Sequence, residues 1–435
     1  MSEQIFCSRY LVPVSGPPSE DSGFAVAEGR IVAVDATAEL RRRYPRAKVT
    51  DFSDSIVLPC FVNAHTHLEL SDFPIWRRHA RCADEVPDHP AKGFTDWILQ
   101  LIRLKICLGR DAEIYRHAWY AGLQQAQASG TGYLGDIVTT PQLISDVAHN
   151  LPGRAFVEIL GQDPEAVQQQ LQRLEQALCA YPGALWGAAP HSPYTLSSEL
   201  LKVAFRTAAS LNVPSTIHMA ESDDEVEFLD RAAGPLAEQL YPFVRWQDHI
   251  QPVRRQRPLQ AVEKAGGLRA GSLLVHAVHV NSEEVARIAA TGASVVLCPR
   301  SNALLQVGKA PVKDFLRHDV PLALGTDSLA SNGSLSLWDE IAFARKWFEG
   351  QLDCQKLIEM ATCGGARALG LEGVGTLETG ARASFQVLRP SQLPPLQQLA
   401  DFLCQPQRGR EVKALYRDGA IVELNNLYQS ASPAI

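Results

Sequence analysis

The feature that most constrains the fold is an alternation of short apolar runs and longer amphipathic stretches through the middle of the chain. Helical patterns, such as those at 113–128, 165–181, 198–211 and 282–290, lie between most of the runs. Eight strand–helix alternations predict an α/β chain folded as a (β/α)8 TIM barrel, with an open doubly wound sheet as the alternative. The predicted strands are 56–62, 133–138, 155–160, 185–189, 215–217, 272–275, 294–297 and 322–324.

Both ends of the chain carry the patterns of short strands and tight turns. Segments 24–26 and 31–34 flank Glu28-Gly29, and segments 414–416 and 420–422 flank Asp418-Gly419 after a further strand at 385–388. Such short strands cannot bury an apolar face separately, so we predict one small β-sandwich built from both termini. Residues 1–58 plus 372–435 are assigned to this composite domain, and residues 59–371 to the barrel.

Composition and charge exclude several classes of partner. The net charge is −7, with 20% charged and 46% hydrophobic residues, so the chain offers no basic field for nucleic acid and an anionic membrane would repel it. No apolar run reaches the roughly 18–20 residues of a spanning helix, and the N-terminus lacks the pattern of an export signal. The nine cysteines are scattered, which favours reduced thiols and a cytoplasmic location.

Titratable side chains occupy several predicted strand ends. His65 and His67 follow the first apolar run, and His218, His276 and Asp327 each end a later one. Side chains two apart on a strand share a face, and the active sites of barrels lie at the carboxyl ends of the strands. Any one of these histidines alone is more often a core residue than a ligand. Together they predict one shared metal site, because neutral imidazoles are common metal ligands.

His65-x-His67, His218, His276 and Asp327, in that order, resemble the amidohydrolase superfamily, over nearly the whole chain. The segments that carry the likeness further are Ala189-Pro190-His191-Ser192-Pro193, His218-Met219-Ala220-Glu221-Ser222 and Gly325-Thr326-Asp327-Ser328. They resemble the deaminase and chlorohydrolase branch. Leu68-Glu69-Leu70-Ser71 is most similar to the aminodeoxyfutalosine deaminases of menaquinone biosynthesis.

The resemblance implies that His65, His67, His218 and Asp327 hold one divalent ion, Zn²⁺ first, with Fe²⁺ or Mn²⁺ as alternatives. Two-metal members bridge their ions by a modified lysine on strand four, and segment 185–191 has no lysine. By the same resemblance, Asp327 takes a proton from the metal-bound water and His276 orients that water. Glu221 is the candidate acid that protonates the ring nitrogen of the substrate.

Three further residues are candidates for substrate binding. His191 touches the substrate by resemblance, with a supporting role as the alternative. Arg300 is expected to hold a carboxylate, such as the benzoate of aminodeoxyfutalosine, or else to form a surface ion pair. Glu69 is expected to accept hydrogen bonds from sugar hydroxyls or to be a rim acid. The segment 94–97 is expected to close the pocket, and the insertion 219–271 is either a lid or a surface connector.

The leading hypothesis is hydrolytic deamination of a small heterocyclic substrate of the aminopurine nucleoside type, with aminodeoxyfutalosine as the first candidate. The alternatives are a deaminase of adenosine, S-adenosylhomocysteine, guanine or cytosine, and a triazine-type chlorohydrolase. A metal-binding scaffold without catalysis is the alternative from a different class. Barrels of this kind often dimerise, which leaves a homodimer open.

Overall fold

The computed structural model describes residues 3–79, 91–109, 111–250, 252–253 and 255–423. The strands in these ranges are β1 (Gln4–Leu11), β2 (Ser19–Ala27), β3 (Arg30–Ala36), β4 (Lys48–Asp51), β5 (Ile56–Pro59), β6 (Phe61–Thr66), β7 (Thr131–Val138), β8 (Gly153–Ile159), β9 (Leu185–Pro190), β10 (Ser215–Met219), β11 (Ser272–His276), β12 (Ser294–Leu297), β13 (Leu322–Leu324), β14 (Phe385–Leu388), β15 (Val412–Arg417) and β16 (Ala420–Ile421).

The α-helices between and after these strands are α1 (Thr37–Arg43), α2 (Phe73–His79), α3 (Phe94–Leu108), α4 (Ala112–Ala128), α5 (Ile144–Asn150), α6 (Pro164–Ala180), α7 (Ser198–Ser210), α8 (Asp223–Arg231), α9 (Tyr241–Phe243), α10 (Pro258–Lys264), α11 (Ser282–Thr291), α12 (Pro299–Leu304), α13 (Val312–Arg317), α14 (Leu337–Trp347), α15 (Cys354–Glu359), α16 (Gly365–Leu369) and α17 (Leu399–Leu403). Several begin as their sequences predict. Asp163 and Ser197, for example, accept hydrogen bonds from the first backbone N–H groups of α6 and α7.

The barrel consists of β6 to β13, eight parallel strands in sequential order. This order excludes the doubly wound alternative, in which the strand order reverses. The two end strands meet because Thr66 pairs with Asp327, and the N–H groups of Thr326 and Asp327 both donate to the carbonyl of His65 at 3.1 Å. At Gly325 a Cβ atom would lie 2.9 Å from the Cβ of His65, so glycine permits this approach. The closing seam therefore carries two of the predicted metal ligands.

The prediction of a single first strand at 56–62 is wrong. The chain leaves the terminal sheet after Pro59 and enters the barrel at Phe61, so the segment divides into β5 and β6. Both strands are buried along their whole length, and no polar residue marks the change of sheet. Apolar periodicity reports burial and does not report which sheet buries the strand.

The terminal segments form a second sheet, as predicted, in the order β16-β15-β14-β5-β1-β2-β3 with β4 also on β1. Both predicted hairpin turns are confirmed, since Glu28, Gly29, Asp418 and Gly419 all have positive φ angles, between 51° and 76°. Strand β1 was not predicted. It joins the two parts of the sheet, because its first half pairs with β4 and its second half with β5. The bounds of the two domains stay a prediction.

Two other expectations concern the chain as a whole. Across the residues described above, no helix combines the length and the apolar character that crossing a membrane requires. Seven cysteines are free thiols, as the scattered pattern predicts. The prediction of reduced thiols is wrong for Cys107, which takes part in a disulfide bond. The cytoplasmic location stays a prediction.

Candidate active site

Three of the predicted metal ligands converge at the carboxyl end of the barrel. His65 lies on β6, His67 directly follows it, and His218 lies on β10. The Nε2 atom of His218 is 3.2 Å from that of His65 and 3.3 Å from that of His67. Burial, with the charges of neighbouring histidines, lowers the pKa of His67 to about 3 and holds the pKa of His218 well below its usual value. The three imidazoles thus face one point with their Nε2 atoms.

The spacing of these nitrogens fits a single metal ion. A zinc–nitrogen bond is about 2.0–2.1 Å long, so two nitrogens in a tetrahedral site lie about 3.3 Å apart. The tautomer also fits. His218 Nδ1 donates to the backbone carbonyl of His191 at 2.9 Å, which leaves its Nε2 as the lone-pair atom. A cation at the point where the three Nε2 atoms meet would accept all three as ligands.

Asp327 completes the cluster from the end of β13. Its Oδ1 lies 3.7 Å from His65 Nε2 and 3.6 Å from His67 Nε2. Its Oδ2 accepts hydrogen bonds from the hydroxyls of Ser301 and Ser331, both at 2.7 Å, so Oδ1 is the oxygen left to face the histidines. Although burial opposes ionisation, the surrounding histidines, His65 first, hold the pKa of Asp327 well below its usual value. The side chain is an anion at neutral pH.

His276 and Glu221 form a second pair beside the cluster. His276 Nδ1 donates to Asn302 Oδ1 at 2.8 Å, and its Nε2 lies 3.4 Å from Glu221 Oε1. Burial lowers the pKa of His276 to about 4. Burial, with the charges of Asp327 and Glu225, raises the pKa of Glu221 well above its usual value. A carboxyl group that holds its proton more tightly than usual therefore stands next to an imidazole of lowered pKa, which is an arrangement suited to a general acid.

A cavity of about 240 Å³ lies over these residues. His191 is in its wall, with its ring centroid 4.9 Å from that of His218. Phe94 and Trp97 also line the cavity, and closure of the pocket by their segment stays a prediction. Trp97 is fixed there because its Nε1 donates to the carbonyl of Ala330 at 2.9 Å.

The insertion 219–271 contributes to the same wall. Leu240, Val244 and Trp246 face the cavity opposite side chains of α3. They pack in one apolar cluster with Phe94 and residues of the short helices of the insertion. The insertion is therefore part of the pocket, and the interpretation as a surface connector alone is insufficient.

Glu69 lines the cavity, but its carboxylate is already engaged. Its Oε1 accepts hydrogen bonds from the N–H groups of Thr139 and Thr140 at 2.9 and 3.0 Å, and its Oε2 accepts one from the hydroxyl of Thr140 at 2.7 Å. These bonds tie the end of β6 to the end of β7. Glu69 thus shapes the pocket wall, and a contact with sugar hydroxyls has to share oxygens that the threonines occupy.

Arg300 does not come to the cavity. It lies in α12, where its backbone N–H donates to Glu340 Oε2 at 3.2 Å and its guanidinium lies 3.7 Å from Asp339. Successive helical residues point about 100° apart. The neighbouring Ser301 therefore faces Asp327 and Arg300 faces away. The geometry supports the alternative of an ion pair and not the contact with a substrate carboxylate.

Two charged residues in the cavity wall were missed by the sequence reasoning. Glu158 on β8 accepts a hydrogen bond from the Thr139 hydroxyl at 2.9 Å through Oε2. Lys105 comes from α3. Although burial opposes ionisation, the charges of His191, Lys105 and His67 lower the pKa of Glu158. One signal was present in the sequence, because Lys105 continues the apolar stripe of α3 at helical spacing.

Two buried polar side chains hold the ligand strands in place. Asn63 Oδ1 accepts from the N–H groups of His65 and Thr326 at 3.3 and 3.1 Å, which joins the first strand of the barrel to the last. Asp136, on β7, accepts from the N–H of Leu68 at 2.9 Å and so fixes the backbone just after His67. Both residues act on the direction of the histidines through the backbone.

Comparison with known proteins agrees with this geometry. Residues 56–422 match the model of the amidohydrolase family, and residues 23–47 match an imidazolonepropionase-like composite domain of bacteria. The chain belongs to the amidohydrolase family. It is a metal-dependent hydrolase of the deaminase branch of that family.

The relatives of this amidohydrolase cover most of its length. It is 30% identical over 372 residues to the aminodeoxyfutalosine deaminase of Deinococcus radiodurans, a match that covers 82% of this chain and 83% of the relative. The structure of Helicobacter pylori aminofutalosine deaminase in complex with methylthio-coformycin has a TM-score of 0.80 at 22% identity, over 97% of this chain and all (100%) of that one. An adenosine deaminase of Xanthomonas campestris with bound zinc has a TM-score of 0.78 at 24% identity, over 97% and 92% of the two chains. At these identities the two structures show the fold alone.

Proposed function

We propose that this amidohydrolase removes the ring amino group of an aminopurine nucleoside by hydrolysis, with aminodeoxyfutalosine as its substrate. The observation that carries the proposal is the convergence of three histidines and one carboxylate beside Glu221, an acid of raised pKa, under a single cavity. We assign His65, His67, His218 and Asp327 to one divalent ion, with Zn²⁺ as the first candidate.

A divalent ion held by these residues supplies a nucleophile from water at neutral pH, because it lowers the pKa of bound water to about 7. The protein supplies the proton transfers. Asp327 Oδ1, which carries no hydroxyl partner, accepts the proton of the attacking water and passes it to the departing amine. His276 Nε2 orients that water, since Nδ1 is committed to Asn302. Glu221 keeps its proton in the buried site and delivers it to the ring nitrogen, which would otherwise carry a negative charge.

The walls of the cavity favour a nucleoside over a free base or a triazine. A small ring needs only the polar end of the cavity, which His191, His276 and Glu221 surround. A large part of the remaining wall is an apolar surface from Phe94 to Ile102 on α3 and from the insertion. Such a surface suits a substituent beyond the ring that undergoes reaction. Aminodeoxyfutalosine is preferred over adenosine and S-adenosylhomocysteine because the Deinococcus relative bears that name.

The test is release of ammonia by protein of measured metal content. The panel contains aminodeoxyfutalosine, adenosine, S-adenosylhomocysteine, guanine, cytosine and a chlorotriazine. We expect ammonia from the aminopurine nucleosides, with the highest kcat/KM for aminodeoxyfutalosine, loss of turnover after chelation, and recovery with Zn²⁺, Fe²⁺ or Mn²⁺. Chloride release from the triazine, or ammonia from the free bases alone, contradicts the proposal. Fully metal-loaded protein without any turnover indicates the scaffold instead.

A further inference from the structure

Helix α3 presents one continuous face to the cavity. The residues of this face recur at helical spacing and are Phe94, Trp97, Ile98, Leu101, Ile102 and Lys105. The face is apolar until its last member, which is a cation. With a rise of 1.5 Å per residue, the stretch from Trp97 to Lys105 covers about 12 Å. A ligand that lies along α3 therefore meets apolar side chains first and an ammonium group at the end.

Lys105 has no bonded partner among the described residues. Within the ranges that the structure covers, no carboxylate lies inside ion-pair distance of its Nζ, although its charge acts on Glu69 and Glu158. Glu69 is bonded to Thr139 and Thr140, and Glu158 is bonded to the hydroxyl of Thr139. Lys105 is also the one lysine or arginine in the described wall of the cavity. A cation in this setting offers three donors that the protein itself does not use.

We propose that Lys105 determines specificity by pairing with a carboxylate on an apolar substituent of the nucleoside. The inference rests on the proposed deaminase function and names the substrate class of that site. Trp97, Ile98 and Leu101 of α3, together with Leu240, Val244 and Trp246 of the insertion, form an apolar wall that suits an aromatic or aliphatic group. The benzoate of aminodeoxyfutalosine matches both the apolar wall and the cation. Lys105 thus has the role that the sequence analysis predicted for Arg300, which is contact with a carboxylate of the substrate.

The two neighbouring acids, Glu69 and Glu158, are consistent with the pairing of Lys105 with a ligand carboxylate. Glu69 has its pKa raised by burial, against its hydrogen bonds with Thr140. Glu158 carries a negative charge in the wall and has an oxygen, Oε1, without a partner among the described residues. Sugar hydroxyls are donors and suit that oxygen, whereas a ligand carboxylate needs the donor of Lys105. Glu158 and Lys105 thus suit different groups of one substrate, the sugar hydroxyls and the carboxylate.

The experiment compares aminodeoxyfutalosine with its methyl ester, which keeps the size of the ligand and removes its charge. For metal-loaded wild-type protein we expect kcat/KM to be roughly 10- to 100-fold higher for the acid, the range for a hydrogen bond between charged groups. Lys105→Met is expected to bring the ratio to about 1, and Lys105→Arg to restore most of it. The wild-type ratio falls with rising salt, because a partly exposed ion pair is screened.

Two control variants carry the same loss of charge. Arg103→Met changes a cation on the same helix that lies against the ring of Phe243 rather than in the cavity wall. Arg300→Met changes the cation beside Asp339. Both are expected to keep the wild-type ratio. A Lys105→Met protein that folds, binds metal and still prefers the acid overturns the proposal, and so does a loss of preference in Arg300→Met.

The outcome for the proposed function is separate. Ammonia released equally from acid and ester supports the deaminase and overturns the inference. If no nucleoside is deaminated, the deaminase proposal fails, and calorimetric titration of the same two ligands still measures the preference for the carboxylate. Equal affinities of the wild-type protein for acid and ester then overturn the role of Lys105, and a preference that Lys105→Met abolishes supports it.

Discussion

The mouth of the barrel and the terminal sheet bury opposite kinds of side chain. The sheet has an aromatic centre in which the ring of Phe385 lies 5.0 Å from that of Phe6 and 4.5 Å from that of Tyr416. The mouth buries His65, His276 and several acids at a similar depth. Burial of aromatic rings stabilises a fold, whereas burial of titratable groups costs free energy unless they are paired. The sheet therefore provides stability, and the mouth keeps groups whose use is binding and chemistry.

The largest expected effect separates two buried acids, Glu221 just before α8 and Glu225 in its first turn. Glu221→Gln keeps the shape of the side chain and removes its proton, so we expect a decrease in kcat of roughly 10²–10⁴-fold with metal content unchanged. Glu225→Gln is the matched control, because Glu225 is as buried, accepts from the N–H of Glu221 at 2.9 Å, and does not line the cavity. We expect its activity to stay within about fivefold of wild type, since its amide oxygen retains that bond.

The pH dependence of kcat tests the same assignment of Glu221 as the acid. The raised pKa of Glu221 means that the acid keeps its proton to a higher pH than an ordinary carboxyl group and loses it as the pH rises through that pKa. Wild-type kcat should therefore fall on the alkaline side, and Glu221→Gln should lack that limb. Full turnover by a metal-loaded Glu221→Gln protein would falsify the assignment of the acid.

The second prediction concerns the sheet. Phe385 is fully buried, and Phe385→Ala removes its contacts with Phe6, Phe24 and Tyr416. We expect the free energy of unfolding in urea to fall by about 3–5 kcal/mol, with kcat/KM per metal-loaded folded molecule within about twofold of wild type. Phe385→Leu keeps most of the volume and should lose less. If activity falls while stability is retained, the sheet positions the barrel mouth and the division of roles is wrong.

The same two regions explain what the sequence could predict. Hairpin turns and strand ends depend on neighbours in the chain, so Asp418-Gly419 and His65-x-His67 were identified from local pattern alone. Whether Arg300 or Ser301 faces the site depends on the rotation of α12 about its axis, because successive side chains on a helix point about 100° apart. The position of Lys105 in the cavity wall depends on how α3 packs across the mouth of the barrel. Its stripe was visible in the sequence, but the surface that the stripe faces is set by tertiary packing.

The division of β5 from β6 has a similar cause. Both halves of the segment 56–66 are buried, one against the terminal sheet and one in the barrel, so their composition is alike. The convergence of the four proposed ligands was predictable because each lies near the end of a strand and parallel strands bring their ends together. No comparable sequence pattern identifies residues that line the cavity from helices. The same holds for residues such as Asn63, which position a proposed ligand through the backbone.

The last expected effect, visible only as a change of stability with pH, comes from a buried acid outside the cavity. Glu340, on α14, accepts hydrogen bonds from Asn332 Nδ2 at 2.6 Å and from the Arg300 N–H, and burial raises its pKa to about 8. In the unfolded chain a glutamate loses its proton near about pH 4.3. The folded protein holds this proton up to about pH 8, so the stability that the protonated group contributes is complete below pH ~4.3 and is lost as the pH rises to about 8. Glu340→Gln removes this loss.

The free energy of unfolding of wild type, measured in urea from pH 5 to pH 9, should therefore decline relative to Glu340→Gln as the pH rises. Glu225, whose pKa is also raised to about 8, is present in both proteins and cancels from the difference. Glu199→Gln is the control, because Glu199 is exposed and its hydrogen bond with Lys202 lowers its pKa, so it does not titrate in this range. Parallel curves for wild type and Glu340→Gln would mean that Glu340 is ionised throughout. The barrel would then bear the cost of a buried charge outside the cavity, and burial of titratable groups would no longer distinguish the mouth from the rest of the molecule.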